Sequence, residues 1–275
     1  MWIDVLTLFP EILQSPLNAS LLRKAQERGA VRFAIHNLRD YALDRHRTTD
    51  DSPFGGGAGM VLKPEPIARA LEAVRAPGTR LPGAPRVPEG ERGRVILLCP
   101  QGRQLNQKIV RELAAESRLI LVCGHYEGVD ERIRLHYVDD EISIGDYILT
   151  GGELPALVLL DAVVRLLPGA LGNPCSAADE SFGGGGLDYP HYTRPRKFGD
   201  KRVPDVLLSG DHREIARWRR KEALRRTREK RPDLLDPGAL TPEDRTILEE
   251  IEREDLLRTS SPDGRAVEPS AARQK

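Results

Sequence analysis

The sequence predicts an α/β protein with a mostly parallel sheet, followed by a small C-terminal helical domain. Three observations lead to this prediction. Short apolar runs of strand length recur through the first half of the chain, helical patterns separate them, and a glycine-rich stretch then leads into long charged helices. Strands that alternate with helices are typical of a parallel sheet covered by helices on both faces.

Five segments are predicted to be strands because they are short and apolar. Pro100, Gly124 and Gly145 directly follow the last three of them. Ligands of such sheets bind beyond the carboxyl ends of the strands, so these three positions are expected to face one site. The predicted strands are Trp2–Leu8, Val31–His36, Arg94–Cys99, Leu119–Cys123 and Glu141–Ile144.

Helical patterns fill the intervals between these strands. One further helix is apolar nearly all round and is predicted to be buried. Within it, Asp161 and Arg165 are four residues apart and share a face, which fits either a salt bridge or an arginine retained for a purpose. The predicted helices are Ser20–Arg28, which Gly29 closes, Pro64–Arg75, Leu105–Ser117 and Glu153–Leu167.

The C-terminal part reads as a separate unit. Pro168–Pro190 is glycine-rich and is predicted to be a flexible linker. Helices are predicted near Asp211–Lys230 and at Thr241–Leu257, where Thr241 begins a Thr-Pro-Glu-Asp capping pattern. Pro77–Gly93 is interpreted as a surface loop. The expected organisation is therefore residues 1–168 as the ligand-binding domain, 169–192 as the linker, 193–257 as the helical domain and 258–275 as a disordered tail.

Composition sets limits on the class of protein. The 275 residues are 39% hydrophobic and 31% charged, which is typical of a soluble globular protein. No apolar run reaches the roughly 20 residues of a membrane helix, and no secretory signal is visible, so a cytoplasmic location is expected. The three cysteines form no C-x-x-C pair, which indicates reduced thiols and no cysteine metal site.

The net charge of zero conceals a strong partition. Arg194–Arg231 holds fifteen basic and six acidic residues, a net charge of +9. The segments on either side are acidic, with −4 for Met1–Thr193 and −5 for Pro232–Lys275. A basic block of this size indicates a polyanionic partner such as nucleic acid. The alternative is a solvated helix face with intrahelical ion pairs.

Glycines and carboxylates occur together after two of the predicted strands. Glycine lets backbone approach a ligand closely, and the neighbouring acids are Glu127, Asp130, Asp146 and Glu153. This arrangement suits a small cationic or adenine-bearing ligand better than a phosphate. A Rossmann-type site is disfavoured because no glycine motif follows the first strand, and the cluster at 55–59 lacks the lysine and hydroxyl pair of a phosphate loop.

Polar residues of the linker form a second candidate constellation. Asp179, Glu180, Asp188 and His191 lie between the Arg165 helix and the basic block. Mobile carboxylates near an arginine are candidates for a general base and its charge stabiliser. The alternative is that a linker is simply polar.

Long motifs occur in order along the chain, and they carry a resemblance. The chain resembles the TrmD family of bacterial tRNA (guanine-N1-)-methyltransferases, within the SPOUT superfamily, from residue 1 to about residue 257. The motifs are Met1-Trp-Ile with Leu8-Phe-Pro, His46-Arg-Thr-Thr-Asp-Asp, Gly55-Gly-Gly-Ala-Gly-Met, Pro100-Gln-Gly-Arg, Cys123-Gly-His-Tyr-Glu-Gly, Ser143-Ile-Gly-Asp-Tyr, Thr150-Gly-Gly-Glu-Leu-Pro and Pro190-His-Tyr-Thr-Arg-Pro.

The resemblance implies a SPOUT-type parallel sheet with a deep trefoil knot, which periodicity alone does not predict. It also implies an obligate homodimer whose active sites combine the cofactor pocket of one subunit with the linker and C-terminal domain of the other. The implied reaction transfers a methyl group from S-adenosylmethionine to N1 of the guanine immediately 3′ of the anticodon in tRNA, with a possible requirement for Mg²⁺. A non-catalytic RNA-binding protein remains the alternative.

The resemblance also implies roles for residues of this chain. Arg165 is expected to steady the guanine, and Glu180 takes the place of the family's aspartate base, with Asp179 as the competing candidate. Substrate contacts are expected at Gly59, Asp188, His191, Arg194, Arg219 and Arg220. The S-adenosylmethionine pocket is expected at Pro100, Gly124, Glu127, Gly128, Ile144, Gly145, Asp146, Tyr147, Ile148, Leu149, Gly151, Gly152 and Pro155.

Overall fold

A computed structural model describes residues 1–76, 92–171, 180–183 and 185–260. The chain divides into two compact units, Met1–Pro174 and Cys175–Lys275. The predicted loop at 77–93, apart from its last two residues, and the tail beyond residue 260 lie outside the described residues.

A five-stranded parallel sheet forms the centre of the first unit, in the order β2-β1-β6-β5-β7. This confirms the prediction of an α/β fold with a parallel sheet. Every predicted strand is present with its bounds shifted by a few residues. The strands are β1 Trp2–Thr7, β2 Arg32–Asn37, β5 Arg94–Gln104, β6 Arg118–Cys123 and β7 Asp140–Ser143, and β3 Asp50–Asp51 pairs with β4 Val61–Leu62 outside the sheet.

Helices cover both faces of the sheet, and each face has its own apolar core. One core includes Leu13, Leu113 and Leu160, and the other includes Ile67, Leu71 and Ile133. Helices α1 and α5 were not predicted. The helices of this unit are α1 Pro10–Leu17, α2 Ser20–Glu27, α3 Pro64–Arg75, α4 Gln107–Ala114, α5 Glu131–Tyr137 and α6 Glu153–Val164.

Strand β5 is irregular where it passes the carboxyl edge of the sheet. Ile142 of β7 pairs first with Leu98 and then with Arg103, so residues 99–102 leave the ladder as an excursion. Pro100 lies within it, a position where a missing backbone N–H is tolerated. The predicted strand end at Cys99 is therefore the start of this excursion, and the strand resumes beyond it.

A buried carboxylate ties three strands of the sheet together. Asp4 of β1 accepts hydrogen bonds from Arg118 of β6 at 2.7 and 3.0 Å, and His36 of β2 lies 2.8 Å from its other oxygen. All three side chains are buried. Charged groups in a core persist only when they are paired in this way.

The second unit contains two long helices and a short hairpin. The predicted start of the last helix is confirmed, because Thr241 and Asp244 exchange hydrogen bonds of 3.0 and 3.1 Å as a capping box. Leu224, Ile247 and Ile251 form a small core between the helices. The elements are β8 Lys197–Phe198, β9 Lys201–Arg202, α7 His212–Lys230 and α8 Pro242–Ser260, with short 3-10 turns at Asp205–Leu208 and Pro232–Leu234.

Across the described parts of the chain, none of the helices combines the length and the apolar character needed to cross a membrane.

Candidate functional site

A cavity of about 240 Å³ opens at the carboxyl edge of the sheet. Its walls are the excursion of β5, the loop that follows β6 and the loop that follows β7. Pro155, in the first turn of α6, completes the lining. The lining residues are 97–100, 124–129, 142–145 and 147–152, together with Pro155.

Backbone packs directly on backbone at the floor of this cavity. A Cβ atom added to Gly152 would lie 2.7 Å from Cys123 Cα and 2.9 Å from the Gly124 nitrogen. The Gly152 N–H donates a hydrogen bond of 2.8 Å to the Gly124 carbonyl. Only glycine permits this approach, so the loops after β6 and β7 are held together by a contact that any side chain would break.

The glycine cluster at 55–59 contributes one wall near this cavity. Gly59 has a φ of +88°, and a Cβ there would lie 2.2 Å from Glu127 Oε1. The Glu127 N–H donates to the Met60 carbonyl at 3.0 Å, which fixes the two segments side by side. The fold therefore places the predicted substrate residue Gly59 against the predicted cofactor residue Glu127.

A buried carboxylate lies beneath the cavity. Glu153, at the start of α6, accepts a hydrogen bond of 2.6 Å from the Thr7 hydroxyl at the end of β1. Burial raises the pKa of the neighbouring Cys123 thiol well above its usual value, and the charge of Glu153 adds to this shift. Cys123 is thus held as a neutral thiol. Glu153 therefore supports the floor of the cavity from beneath.

His125 offers a buried polar atom to the cavity. Its ring packs against Phe9 at 4.8 Å and Tyr126 at 4.6 Å between centroids. Its Nδ1 atom is buried and has no hydrogen-bond partner among the described residues. A Cβ atom added to Gly151 would lie 2.6 Å from this nitrogen, so Gly151 packs directly against the ring.

A polar cluster in the second unit is built from the segment before the hairpin. The carboxylate of Asp188 accepts the Tyr189 N–H at 2.7 Å, and its other oxygen lies 2.8 Å from His191 Nε2. The Arg219 guanidinium stacks over the Tyr189 ring at 4.9 Å. The Leu187 N–H donates to the Thr227 hydroxyl at 2.9 Å, which ties this segment to α7.

Much of the basic block is paired across the two long helices. Arg220 donates to Asp244, Lys221 to Glu250 and Glu254, and Arg225 to Glu254 and Asp255. The Arg220 hydrogen bond lowers the pKa of Asp244 to about 2. The alternative of intrahelical ion pairs is therefore wrong for most of these cations, because their partners lie on α8, and Arg225 with Glu222 is the intrahelical pair that the described part of α7 contains. Arg217 pairs with Glu250 and Arg228 with Asp255 in the same way.

Comparison with known proteins identifies the family. The profile of the tRNA (Guanine-1)-methyltransferase TrmD family matches residues 1–237. The chain belongs to this family. The cavity walls and the Asp188 cluster both lie within the matched range.

Proteins named tRNA (guanine-N(1)-)-methyltransferase are similar over nearly their whole length. The one from Brevibacillus brevis is 55% identical over 92% of this chain and 99% of its own length. That from Geobacillus kaustophilus is 56% identical over the same shares, and that from Dictyoglomus turgidum is 53% identical over 92% of this chain and 97% of its own.

The resemblance to TrmD predicted which residues form the cofactor pocket. The fold brings all of these residues except one to the cavity. Asp146 is exposed and does not line it. The sequence did not single out Leu97, Leu98 or Val129, which also line the cavity. These side chains have no chemical feature that marks a site. Only the order of the strands in the sheet shows that the segments carrying them meet. The roles of these residues stay predictions.

Arg165 does not lie at this cavity. It follows α6, ten residues after Pro155, which corresponds to about 15 Å along a helix. It lines a separate open groove with Leu157, Val158 and Asp161. The predicted burial of α6 on all sides is wrong, because Leu154 and Val158 are 53% and 49% exposed on one face.

Of the two candidate bases, only Glu180 is among the described residues. Asp179 lies outside the described residues. Glu180 is in a turn of the second unit, where its carbonyl accepts the Gly183 N–H at 2.9 Å. Within the described ranges, no group of three or more His, Cys, Asp or Glu residues has an arrangement that could hold a metal ion.

Proposed function

We propose that this protein transfers a methyl group from S-adenosylmethionine to N1 of a guanine in tRNA. The observation that carries the proposal is that residues 1–237 match the TrmD family. The motifs of that family also form the cavity with the glycine floor. The relatives from Brevibacillus brevis and Geobacillus kaustophilus bear the name of this activity. A tRNA substrate also implies a cytoplasmic location.

The chemistry of the cavity suits the methyl donor. The Glu127 carboxylate at one wall favours a positively charged ligand, and the exposed backbone of the loops can hydrogen-bond an adenine edge. When bound, S-adenosylmethionine supplies a methyl group made electrophilic by its positively charged sulfur.

The proposed catalytic residues act on the guanine. Glu180 accepts the proton from N1, which makes that nitrogen a nucleophile. Arg165 provides a fixed cation for the negative charge that develops on the ring and O6. Asp188 is the less suitable base, because both of its oxygens already hold hydrogen bonds to Tyr189 and His191. We propose the guanine immediately 3′ of the anticodon as the target.

We further propose that two copies of the chain build each site. Arg165 is about 15 Å along α6 from the cavity of its own subunit, too far to contact a guanine held there. The exposed Leu154 and Val158 give α6 an apolar face that a second copy would cover. A homodimer packed on this face could bring Arg165 of one subunit to the cavity of the other.

The fold proposal extends to a deep trefoil knot in the first unit and a C-terminal helical domain for tRNA. Residues 172–179 and 184 of the predicted linker lie outside the described residues. Family membership supports the knot, and the pairing of α7 with α8 supports a separate helical body. Arg194, Arg219, His191 and Asp188 remain proposed tRNA contacts. Arg220 is the weakest of the proposed contacts, since Asp244 already holds its guanidinium.

The deciding experiment is methyl transfer from labelled S-adenosylmethionine to tRNA bearing adjacent guanines at the 3′ side of the anticodon. Nucleoside analysis should find 1-methylguanosine, and tRNA lacking a guanine at that position should remain unlabelled. A folded preparation that binds tRNA but transfers no methyl group, with or without Mg²⁺, would favour the non-catalytic RNA-binding alternative.

A further inference from the structure

The hairpin formed by β8 and β9 projects a compact group of cations and one aromatic ring. Residues 191–202 are all exposed, and Phe198 is 79% exposed. Gly199 has a φ of +59°, as the first position of a tight two-residue turn favours. A further hydrogen bond of 3.1 Å from the Val203 N–H to the Arg196 carbonyl extends the pairing. The exposed side chains are therefore held on an ordered hairpin.

The cations of this hairpin differ from the ion-paired cations of α7, because they have no acidic partner among the described residues. Arg220, Lys221 and Arg225 of α7 are held by carboxylates of α8. Lys197, Lys201 and Arg202 form no ion pair with any residue that the structure describes. Among the described residues, the unpaired cations of the basic block thus include these three hairpin side chains, besides Arg213, Arg219, Arg226 and Lys230 of α7.

The register of the hairpin is unfavourable for its own stability. Lys197 is directly opposite Arg202, and like charges at opposite positions repel. Phe198 is opposite Lys201 on the other face, with its ring in solvent. The nearby Asp200 lies in the turn and forms no ion pair among the described residues. A polyanion lying along the hairpin would remove this repulsion.

The base of the hairpin adjoins the polar cluster already described. Arg194, Arg196 and Val203 line a cavity of about 410 Å³ together with Tyr189 and Tyr192. Basic side chains interleaved with aromatic rings are the combination that binds RNA, through phosphates and through stacking on bases. The surface from this cavity to the hairpin tip is continuous along the chain.

We propose that the β8–β9 hairpin is a principal tRNA-binding element of the second unit. Lys197, Lys201 and Arg202 contact backbone phosphates, and Phe198 stacks on an exposed base or ribose. The identification of the bound RNA as tRNA rests on the proposed function. It assigns the ion-paired cations of α7 to holding α8 in place.

The test measures tRNA binding by the full-length protein without methyl donor, over a range of salt concentrations. Each phosphate contact contributes about 0.7–0.9 to the slope of log affinity against log salt. The triple variant Lys197→Gln, Lys201→Gln, Arg202→Gln should flatten this slope by roughly 2 to 3. Far-ultraviolet circular dichroism and the melting temperature of the variant should match the wild type, because all three side chains are exposed.

A single-substitution control corrects for net charge. Arg253 is an exposed cation of α8, and Arg253→Gln should leave the slope and the affinity unchanged. Lys201→Gln alone should lower the slope by about 1. An unchanged slope in the triple variant would overturn the proposal and would assign the hairpin to another acidic partner. Equal effects of Lys201→Gln and Arg253→Gln would also overturn it, because they would reflect net charge alone.

Phe198 gives an independent readout. Phe198→Ala should weaken tRNA binding roughly tenfold without changing the salt slope, since stacking is not electrostatic. Phe198→Tyr should retain wild-type affinity. Wild-type protein that binds tRNA without methylating it would refute the proposed function, while the hairpin would still be judged by these binding data. Normal affinity in Phe198→Ala would exclude the stacking contact.

Discussion

The Arg220 guanidinium and the Asp244 carboxylate form a two-pronged ion pair between α7 and α8, with Nη2 and Oδ2 2.9 Å apart. Asp244 is only 2% exposed and also accepts the Thr241 N–H at 3.0 Å. The Asp244 carboxylate therefore links α7 to α8 and also caps the N-terminus of α8. This pair has a structural role, although the basic block as a whole suggested a nucleic-acid contact.

Acid should weaken this pair in a defined range. The pKa of Asp244 is lowered from 3.8 to about 2, chiefly by Arg220, so its stabilisation is complete above about pH 5 and is lost as the pH falls through 2. Asp244→Asn should lower the free energy of unfolding by about 1.5–3 kcal/mol at neutral pH. Thermal unfolding followed by circular dichroism at several pH values checks this.

The same experiment has an internal control. The difference in stability between wild type and Asp244→Asn should shrink as the pH falls from about 5 and should largely disappear below about pH 2, where Asp244 becomes neutral. Asp205 is exposed and forms no ion pair in the described part of the chain, so Asp205→Asn should have no comparable effect. A constant difference between wild type and Asp244→Asn at every pH would contradict the assignment.

The floor of the cavity makes a steric prediction. Gly152→Ala would place a methyl group 2.7 Å from Cys123 Cα and should separate the loops after β6 and β7. Binding of S-adenosylmethionine, measured by calorimetry, should fall by at least about tenfold, with a lower melting temperature. Gly124→Ala is a steric control for the melting temperature alone, because its added Cβ finds its nearest atom at an ordinary 3.6 Å, and it should melt like the wild type. Normal ligand binding by Gly152→Ala would mean that the floor adapts.

The identity of the base is tested by two isosteric substitutions. Glu180→Gln should slow single-turnover methyl transfer by roughly 10²–10⁴-fold, since the amide cannot accept the proton, while S-adenosylmethionine binding stays normal. Asp179→Asn should have a small effect. The reverse pattern would make Asp179 the base, and small losses in both would leave Asp188 as the next candidate.

A mixed dimer tests whether two subunits share each site. Arg165→Ala and Glu180→Ala subunits are each expected to be inactive as homodimers. In heterodimers carrying distinct affinity tags, one site should receive both intact residues, and about half of the wild-type activity should return. Heterodimers of verified composition that stay inactive would favour sites completed within one chain.

The sequence predicted the sheet because its strands are unbroken apolar runs, and it predicted α8 because Thr241 begins a complete capping box. It missed α1, which has no side-chain cap and contains Pro16, and α5, which is only seven residues long. Short helices of this kind depend on packing against the sheet, which a local pattern does not show.

The site residues also fall into two groups, those that the sequence predicted and those that only the fold reveals. Glycine motifs identified the cavity, because close backbone approach requires that one residue type. The position of Glu153 beneath the floor depends on Thr7, which is 146 residues away in sequence. The partners of the α7 cations are likewise 24 to 33 residues distant. Composition shows that such charges exist, and only the folded chain shows which of them neutralise each other.

The separation of cations between α7 and the hairpin has a consequence for how this protein can change. Substitutions at Lys197, Lys201 or Arg202 alter an exposed turn and leave the α7–α8 core intact. The affinity for RNA can therefore change over a wide range while the stability of the fold stays constant. Most cations of α7 lack this freedom, because each acidic partner on α8 would have to change with them. An engineer seeking altered RNA affinity would begin at the hairpin.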